Sequence, residues 1–238
     1  MIILFNSVDP GLCRLGRKIV AMATTRRWGP TPRRLDDEAA ARDQLLVAAG
    51  RCIVRRGDTQ IRMAEVADEA GVVRSTVYRY FANRDDLLLG LVLKRLDAAL
   101  ARWVASLRCP DDAASSIREL ILEQPLAAVE EGDALNHALY ASESTALTSA
   151  LAVGAEPVVD VLMKHFAPLL EGWTAGGQLH ADLDIRETVH WMYATSNFLL
   201  APSWRYRPAE IKVRFVDRYL LRALLRPVTT RMRTQRQQ

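Results

Sequence analysis

Six residues between positions 74 and 80, Arg74, Ser75, Thr76, Tyr78, Arg79 and Tyr80, offer two guanidinium groups and four hydroxyls within two helical turns. Val77 falls among them and Phe81 follows at i+4, so on a helix the apolar pair faces inward while the donors stay outside. Guanidinium groups and hydroxyls in such a row are suited to phosphate oxygens and base edges. The chemistry on offer is recognition of a nucleic acid. Bond-making chemistry has no comparable signal: there is no Gly-x-Ser-x-Gly, no P-loop and no dinucleotide fingerprint, and His137, His165, His180 and His190 never stand four apart. Neither a metal nor a cofactor is expected.

A reading helix needs a support that fixes its angle. Val66, Ala67 and Ala70 recur at helical spacing, Gly71 breaks the pattern, and Val77 with Phe81 restarts it. The small Ala67 allows a second helix to cross closely, and Gly71 takes the left-handed conformation of a sharp turn. The spacing predicts helix, tight turn, helix, with the second helix over about 74–80. Ahead of the pair, Leu45, Leu46, Ala49, Cys52 and Ile53 form the buried stripe of a helix from Asp37 to Arg56, ended by Gly57. After it, Asn83 caps a fourth helix, with Asp85 and Asp86 at the positive end of its dipole. Leu87, Leu91, Leu96, Leu100, Trp103, Val104 and Leu107 carry that helix onward, as a connecting rod, to Cys109-Pro110-Asp111.

From Arg42 to Leu88 the chain resembles the DNA-binding domain of TetR-type (tetracycline-repressor-like) transcriptional regulators. The resemblance rests on Leu45-Leu46, Ala48-Ala49, Gly57, Val66-Ala67, Ala70-Gly71-Val72, Thr76-Val77-Tyr78-Arg79-Tyr80-Phe81 and Asn83-Arg84-Asp85-Asp86-Leu87-Leu88. Three positions depart from the family's usual residues: Val73 for Ser, Arg62 for Thr and Arg84 for Lys. The first two are N-cap positions, where loss of the hydroxyl costs on the order of 1 kcal/mol each. The resemblance implies a DNA surface made of Arg62, Arg74, Ser75, Thr76, Tyr78, Arg79, Tyr80, Asn83 and Arg84. Within it Thr76, Tyr78, Tyr80 and Arg84 are expected on phosphates, and Arg74 and Ser75 on base edges.

Composition agrees with a cytoplasmic, soluble chain large enough for two domains. Half of the residues are apolar, and Cys13, Cys52 and Cys109 are odd in number and far apart, which suggests no disulfide framework. The longest apolar run, Leu87 to Leu93, is far short of the ~20 residues that span a bilayer. The apolar start, Met1 to Phe5, has its basic residues after it and no small-residue cleavage site, so no signal peptide is expected. Seven Arg/Lys face four Asp/Glu over residues 1–41, and eight face seven over 42–90, so the reading segment is nearly neutral. Four arginines and no acid lie after Leu225. The expected order is a mobile basic arm over 1–36, the DNA-binding domain over 37–88, a helical effector-binding and dimerisation domain over 89–225, and a basic tail over 226–238.

The second domain shows helical periodicity only: about 113–131, 134–141, 144–171 with a kink at Pro157, 184–200 and 208–225. Pro168 is expected to bend or end its helix, and Asp184 to Glu187 to form a capping box. The fold expected is therefore all-α, three helices of a DNA-binding domain followed by a larger helical domain. The next-to-last helix is apolar on two sides and needs two partners. Ile185, Val189, Met192 and Leu199, with Ile211, Phe215 and Tyr219 of the last helix, are expected at a homodimer seam, in agreement with the resembled family. A small-molecule pocket follows chiefly from the resemblance, and Trp103, Leu107, His137, Tyr140, Phe166, Trp191, Thr195 and Phe198 are expected to line it. That lining suits a mostly apolar effector. The expected function is a homodimeric repressor on a palindromic duplex operator, released by the effector. Its rivals are an architectural DNA binder without effector and a helical enzyme or carrier with a vestigial helix-turn-helix.

Overall fold

A computed structural model describes residues 35–123, 133–140 and 155–227, with isolated positions between the last two stretches. Residues 1–34 of the expected arm, residues 228–238 of the expected tail and the stretch expected to extend a helix over 124–131 lie outside the described residues, while Leu35 and Asp36, expected in the arm, open a helix. Among the described residues every regular element is helical, apart from one isolated antiparallel bridge between Leu179 and Leu225. None of these helices is long and apolar enough to cross a membrane. The chain divides into two compact units, one of residues 1–88 with 134–142 and one of 89–133 with 143–238.

In the first unit α1 (Leu35–Arg56) buries Ala41, Leu45, Leu46, Ala48, Ala49, Cys52 and Ile53. Gly57 ends it at φ 82°, its N–H donating to the Ile53 carbonyl at 2.7 Å. α2 (Met63–Ala70) packs on α1 through Met63, Val66 and Ala67. α3 (Arg74–Tyr80) buries Val77 alone, and Phe81 behind it is fully enclosed. α4 (Arg84–Ala105) begins in this unit with Leu87 and Leu88 in the core, and α6 (Ala134–Tyr140) packs against α1 through the buried Ala138 and Leu139.

The second unit is built from the rest of α4, α5 (Ala113–Leu122), α7 (Glu156–Ala175), α8 (Ile185–Leu200), the single turn α9 (Pro202–Arg205) and α10 (Ala209–Phe215). α10 continues through a π-helical turn (Val216–Leu221) into α11 (Arg222–Leu224). Its core gathers Leu96, Leu100, Ile117, Leu120, Val159, Leu162, Phe166, Leu170, Trp173, Val189, Met192, Leu199, Val216 and Leu220.

The helix ends differ from the sequence expectation for local reasons. α4 stops at Ala105 rather than running to Cys109, because the Ser106 hydroxyl and N–H both turn back to the Trp103 carbonyl, at 2.8 and 2.9 Å. Gln178 then fixes the following turn from outside, accepting from the Ala113 N–H and donating to the Asp111 carbonyl, both at 2.8 Å. Pro157 does not kink a helix: it sits in the first turn of α7, where its missing N–H costs nothing. Pro168 neither ends α7 nor divides it, since the helix continues to Ala175. Asp184 caps α8 by accepting from the Glu187 N–H at 2.8 Å.

Candidate nucleic-acid interface

The turn between α2 and α3 is built on one left-handed residue. Gly71 has φ 66° and ψ 33°, the Val72 N–H donates to the Ala67 carbonyl at 2.9 Å, and α2 thereby ends in a Schellman motif. Residues 71–73 alone then separate the two helices. α3 stands on Val77 and Phe81, and its exposed side carries Arg74, Ser75, Tyr78 and Arg79, with Thr76 and Tyr80 half-buried beside them.

The side chains of α3 are ordered among themselves. Arg74 Nη2 donates to the Tyr78 hydroxyl at 2.9 Å and its guanidinium lies 5.2 Å from that ring. Arg79 repeats the arrangement with Tyr80, at 2.9 and 4.9 Å. Each arginine thus rests on an aromatic face with other N–H groups outward, and exchange of an exposed hydroxyl for a phosphate oxygen strengthens the bond. The carboxy-terminal end of α3 is held from α1: Arg42 Nη1 donates to the Tyr80 carbonyl at 2.9 Å, and its guanidinium stacks 4.2 Å over Phe81. The sequence reading missed Arg42, which sits on α1 with nothing in its spacing to pair it with residue 80.

Two helix starts carry the departures noted in the sequence. Arg62 and Val73 both have the extended backbone of an N-cap, and neither side chain caps. At α2 the Glu65 carboxylate accepts from the Arg62 N–H at 3.1 Å, which is half a capping box; a guanidinium has no acceptor with which to supply the other half. At α3 the Thr76 N–H falls back on the Val73 carbonyl at 2.9 Å. At α4 Asn83 accepts from the Asp86 N–H at 2.9 Å while Asp86 accepts from the Ala82 N–H at 3.0 Å. Arg84 extends to Gln60 Oε1 and lies 3.7 Å from Asp85.

The near-neutral charge of this segment resolves into separate groups. Glu69 pairs with Arg55 at 2.7 Å and Arg51 at 3.7 Å, and Asp58 with Arg56 at 2.9 Å. The hydrogen bond from Arg55 holds the Glu69 carboxyl below the usual glutamate range, and the same bond raises Arg55. α3 itself has two arginines and no acid. Cys52 is buried behind the site, and burial pushes its thiol up.

In the second unit a cavity of about 30 Å³ is lined by Leu96, Leu100, Trp103, Leu120, Ile121, Val158, Leu162, Phe166, Met192, Tyr193 and Ser196. Of the residues expected in a pocket, Trp103 and Phe166 line it, their rings edge to face at 6.3 Å. Leu107 and Thr195 are buried elsewhere, and His137, Trp191 and Phe198 are exposed. The side chain of Tyr140 lies outside the described residues. Ser196 and Met192 were missed because α8 is apolar around most of its circumference, so periodicity does not say which residues meet the cavity.

The residues expected at a seam also divide. Val189, Met192 and Leu199 are buried in the unit's own core, which leaves them no surface for a partner. Ile185, Ile211 and Phe215 are half-buried and Tyr219 is exposed. Phe215 centres an aromatic group, 5.5 Å from Phe198, 4.8 Å from Trp204 and 5.1 Å from Tyr219 between ring centroids.

A two-turn helix presenting stacked arginines from a Schellman turn, pinned behind by Val77 and Phe81, makes the first unit a helix-turn-helix DNA-binding domain. Residues 45–91 match the family model described as bacterial regulatory proteins, tetR family. The chain carries the DNA-binding domain of that TetR family, whose members are DNA-binding transcription regulators and not enzymes. It is 31% identical over 80 residues to the HTH-type transcriptional activator FasR of Mycolicibacterium smegmatis, covering 34% of this chain and 36% of that one. It is 32% identical over 59 residues to the fatty acid metabolism regulator protein of Bacillus subtilis, covering 25% of this chain and 30% of that one. The matched stretches thus span about a third of each of these relatives. The structure of the transcriptional repressor QsdR of R. erythropolis, from the TetR family, superposes with a TM-score of 0.59 at 19% identity, covering 79% of this chain and 97% of that one. That likeness shows a shared fold.

Proposed function

We propose that the protein is a cytoplasmic homodimeric transcriptional repressor that binds a palindromic operator in duplex DNA and leaves it when a small, mostly apolar effector enters the second unit. The observation that carries this reading is the outer face of α3, two arginines with their tyrosines and no acid, on a support of TetR type. Thr76, Tyr78, Tyr80 and Arg84 hold phosphates in this reading, with Arg62, Arg79 and Asn83 beside them, and Arg74 and Ser75 meet base edges at the start of the reading helix.

Homodimerisation is supported by the aromatic group at Phe198, Trp204, Phe215 and Tyr219, of which Phe198 is 43% and Tyr219 56% exposed. Large aromatic surface of this kind is costly to leave in water and is enriched at the centres of interfaces. The seam therefore uses the exposed side of α8 and α10 rather than Val189, Met192 and Leu199. Two copies present two reading helices, as a pair of half-sites one DNA turn apart requires. Phe215→Arg places a cation in that group. Sedimentation should show a monomer that no longer binds paired half-sites, and an intact DNA-binding dimer would put the seam elsewhere.

Release works only if the effector binds the conformation with wrongly spaced reading helices better than the DNA-competent one. The lining of the cavity, mostly aromatic and aliphatic, supports an apolar effector, and the Bacillus subtilis relative is named a fatty acid metabolism regulator protein. The small size of the cavity, about 30 Å³, favours a second reading in which the protein binds DNA without an effector. A metabolite screen scored for both thermal shift and release from DNA separates the two. Release by apolar compounds supports the first, and release by none supports the second.

A further inference from the structure

We propose that Gln60 is a positioning residue of the DNA surface: its side-chain carbonyl holds the Arg84 guanidinium, at the start of α4, ready for a backbone phosphate of duplex DNA. This rests on the placement of Arg84 among the phosphate contacts above and adds the residue that prepares it.

Gln60 lies in the loop between α1 and α2, and its backbone is fixed from both sides. Its neighbours Thr59 and Ile61 are 5% and 3% exposed, and its own N–H donates to Asp58 Oδ1 at 2.7 Å. The same oxygen accepts from Arg56 Nε at 2.9 Å, so the turn is closed before the side chain of Gln60 is used at all. Gln60 itself is exposed, and its Oε1 accepts from Nη1 of Arg84, 24 residues further on.

The contact orders Arg84 without neutralising it. A guanidinium carries a rigid fork of N–H donors, and the uncharged amide oxygen of Gln60 engages one arm of it. Nη2 lies 3.7 Å from Asp85 Oδ1, beyond hydrogen-bonding distance, and the two side chains are 35% and 36% exposed, so that pairing is weak. A free arginine loses its rotamer freedom when a phosphate takes it; one already held loses less, and binding gains the difference. Arg74 and Arg79 are steadied in the same sense by the rings of Tyr78 and Tyr80. At Arg84 an amide takes that part, and a phosphate oxygen, being charged, is the stronger acceptor for the N–H groups that Gln60 leaves over.

Fluorescence anisotropy of the full chain on a mixed-sequence duplex tests this, since a phosphate contact does not depend on sequence. Gln60→Ala should weaken binding about two- to tenfold, the cost of immobilising one long side chain, and should leave the slope of log K against log salt unchanged, because the phosphate is still met. Arg84→Ala should flatten that slope by about 0.9. In the Arg84→Ala background Gln60→Ala should change nothing, a dependence that a merely structural role in the loop would not produce. Gln60→Met, of similar length but without the amide oxygen, should behave as Gln60→Ala does. Thermal unfolding should find every variant folded, because the turn on Asp58 is untouched. Equal loss in both backgrounds, no loss, parent-like binding by Gln60→Met, or tighter binding by Gln60→Ala overturns the proposal; the last would make Gln60 a competitor of the phosphate. Any of these, with the parent on duplex and the slope flattened by Arg84→Ala, sinks the positioning role alone. A parent that does not bind duplex, or a slope indifferent to Arg84→Ala, takes the phosphate reading of Arg84 down with it.

Discussion

Arg62→Thr separates stability from DNA affinity in one substitution. Arg62 has φ −100° and ψ 144°, the extended backbone an N-cap requires, and its N–H already donates to the Glu65 carboxylate at 3.1 Å. A threonine hydroxyl there can accept from the Glu65 N–H and complete the capping box. The gain is about 1 kcal/mol, or about fivefold in the folding constant, since an N-cap hydroxyl is worth about 0.5–2 kcal/mol. Little packing is forfeited, because Arg62 is exposed. For a chain of this size the midpoint of thermal unfolding should rise by about 2–4 °C. If Arg62 also holds a phosphate, DNA affinity moves the other way: the slope of log K against log salt should flatten by about 0.9, one counterion's worth, with little change in sequence preference. Calorimetry reads the first quantity and fluorescence anisotropy at several salt concentrations the second. A lowered or unchanged midpoint refutes the capping argument, and an unchanged slope with raised stability removes Arg62 from the DNA surface.

Three other substitutions probe separate links. Gly71→Ala meets nothing within 4 Å of the added Cβ, so its cost is the left-handed backbone alone, about 1–2 kcal/mol by thermal unfolding; no loss would mean the turn relaxes freely. Arg74→Ala should relax preference at a few base pairs by about 1–3 kcal/mol if its contact is bidentate, and a uniform loss over all sequences would move Arg74 to the phosphates. Glu69→Gln removes a carboxylate whose folded value is depressed by Arg55, so its stabilisation is present above the ordinary glutamate range and lost as pH falls through the folded value. The variant should be less stable than the parent near neutral pH, and the two should converge in acid. A difference independent of pH would show that charge plays no part.

The first unit was legible because each of its positions has its own local requirement. Gly71 is needed for φ 66°, Val77 and Phe81 for the seat of α3, and Asn83 for the first turn of α4; residue type alone states each demand. Arg42 escaped notice because its partners, Tyr80 and Phe81, are nearly forty residues away. In the second unit the helices were legible from their periodicity, but which face of each is buried was not. α8 is apolar almost all round, and packing, not period, chose Val189, Met192 and Leu199 for the core and left Trp191 and Phe198 outside. Pro157 illustrates the same limit, since a proline within an apolar pattern reads as a kink or as a start depending on chain that precedes it. The turn α9 and the π-helical stretch have no periodic signature at their length.

The central claim is that two copies of α3 read an inverted repeat. Selection from a random duplex library by the full chain, followed by salt-dependent binding of the recovered sequence, tests it most directly. The expected outcome is an inverted repeat with half-sites about one DNA turn apart, bound far more tightly than scrambled duplex, and loss of that binding in the Tyr78→Ala, Arg84→Ala double variant. Recovery of no sequence above non-specific binding, or undiminished affinity in the double variant, would contradict it.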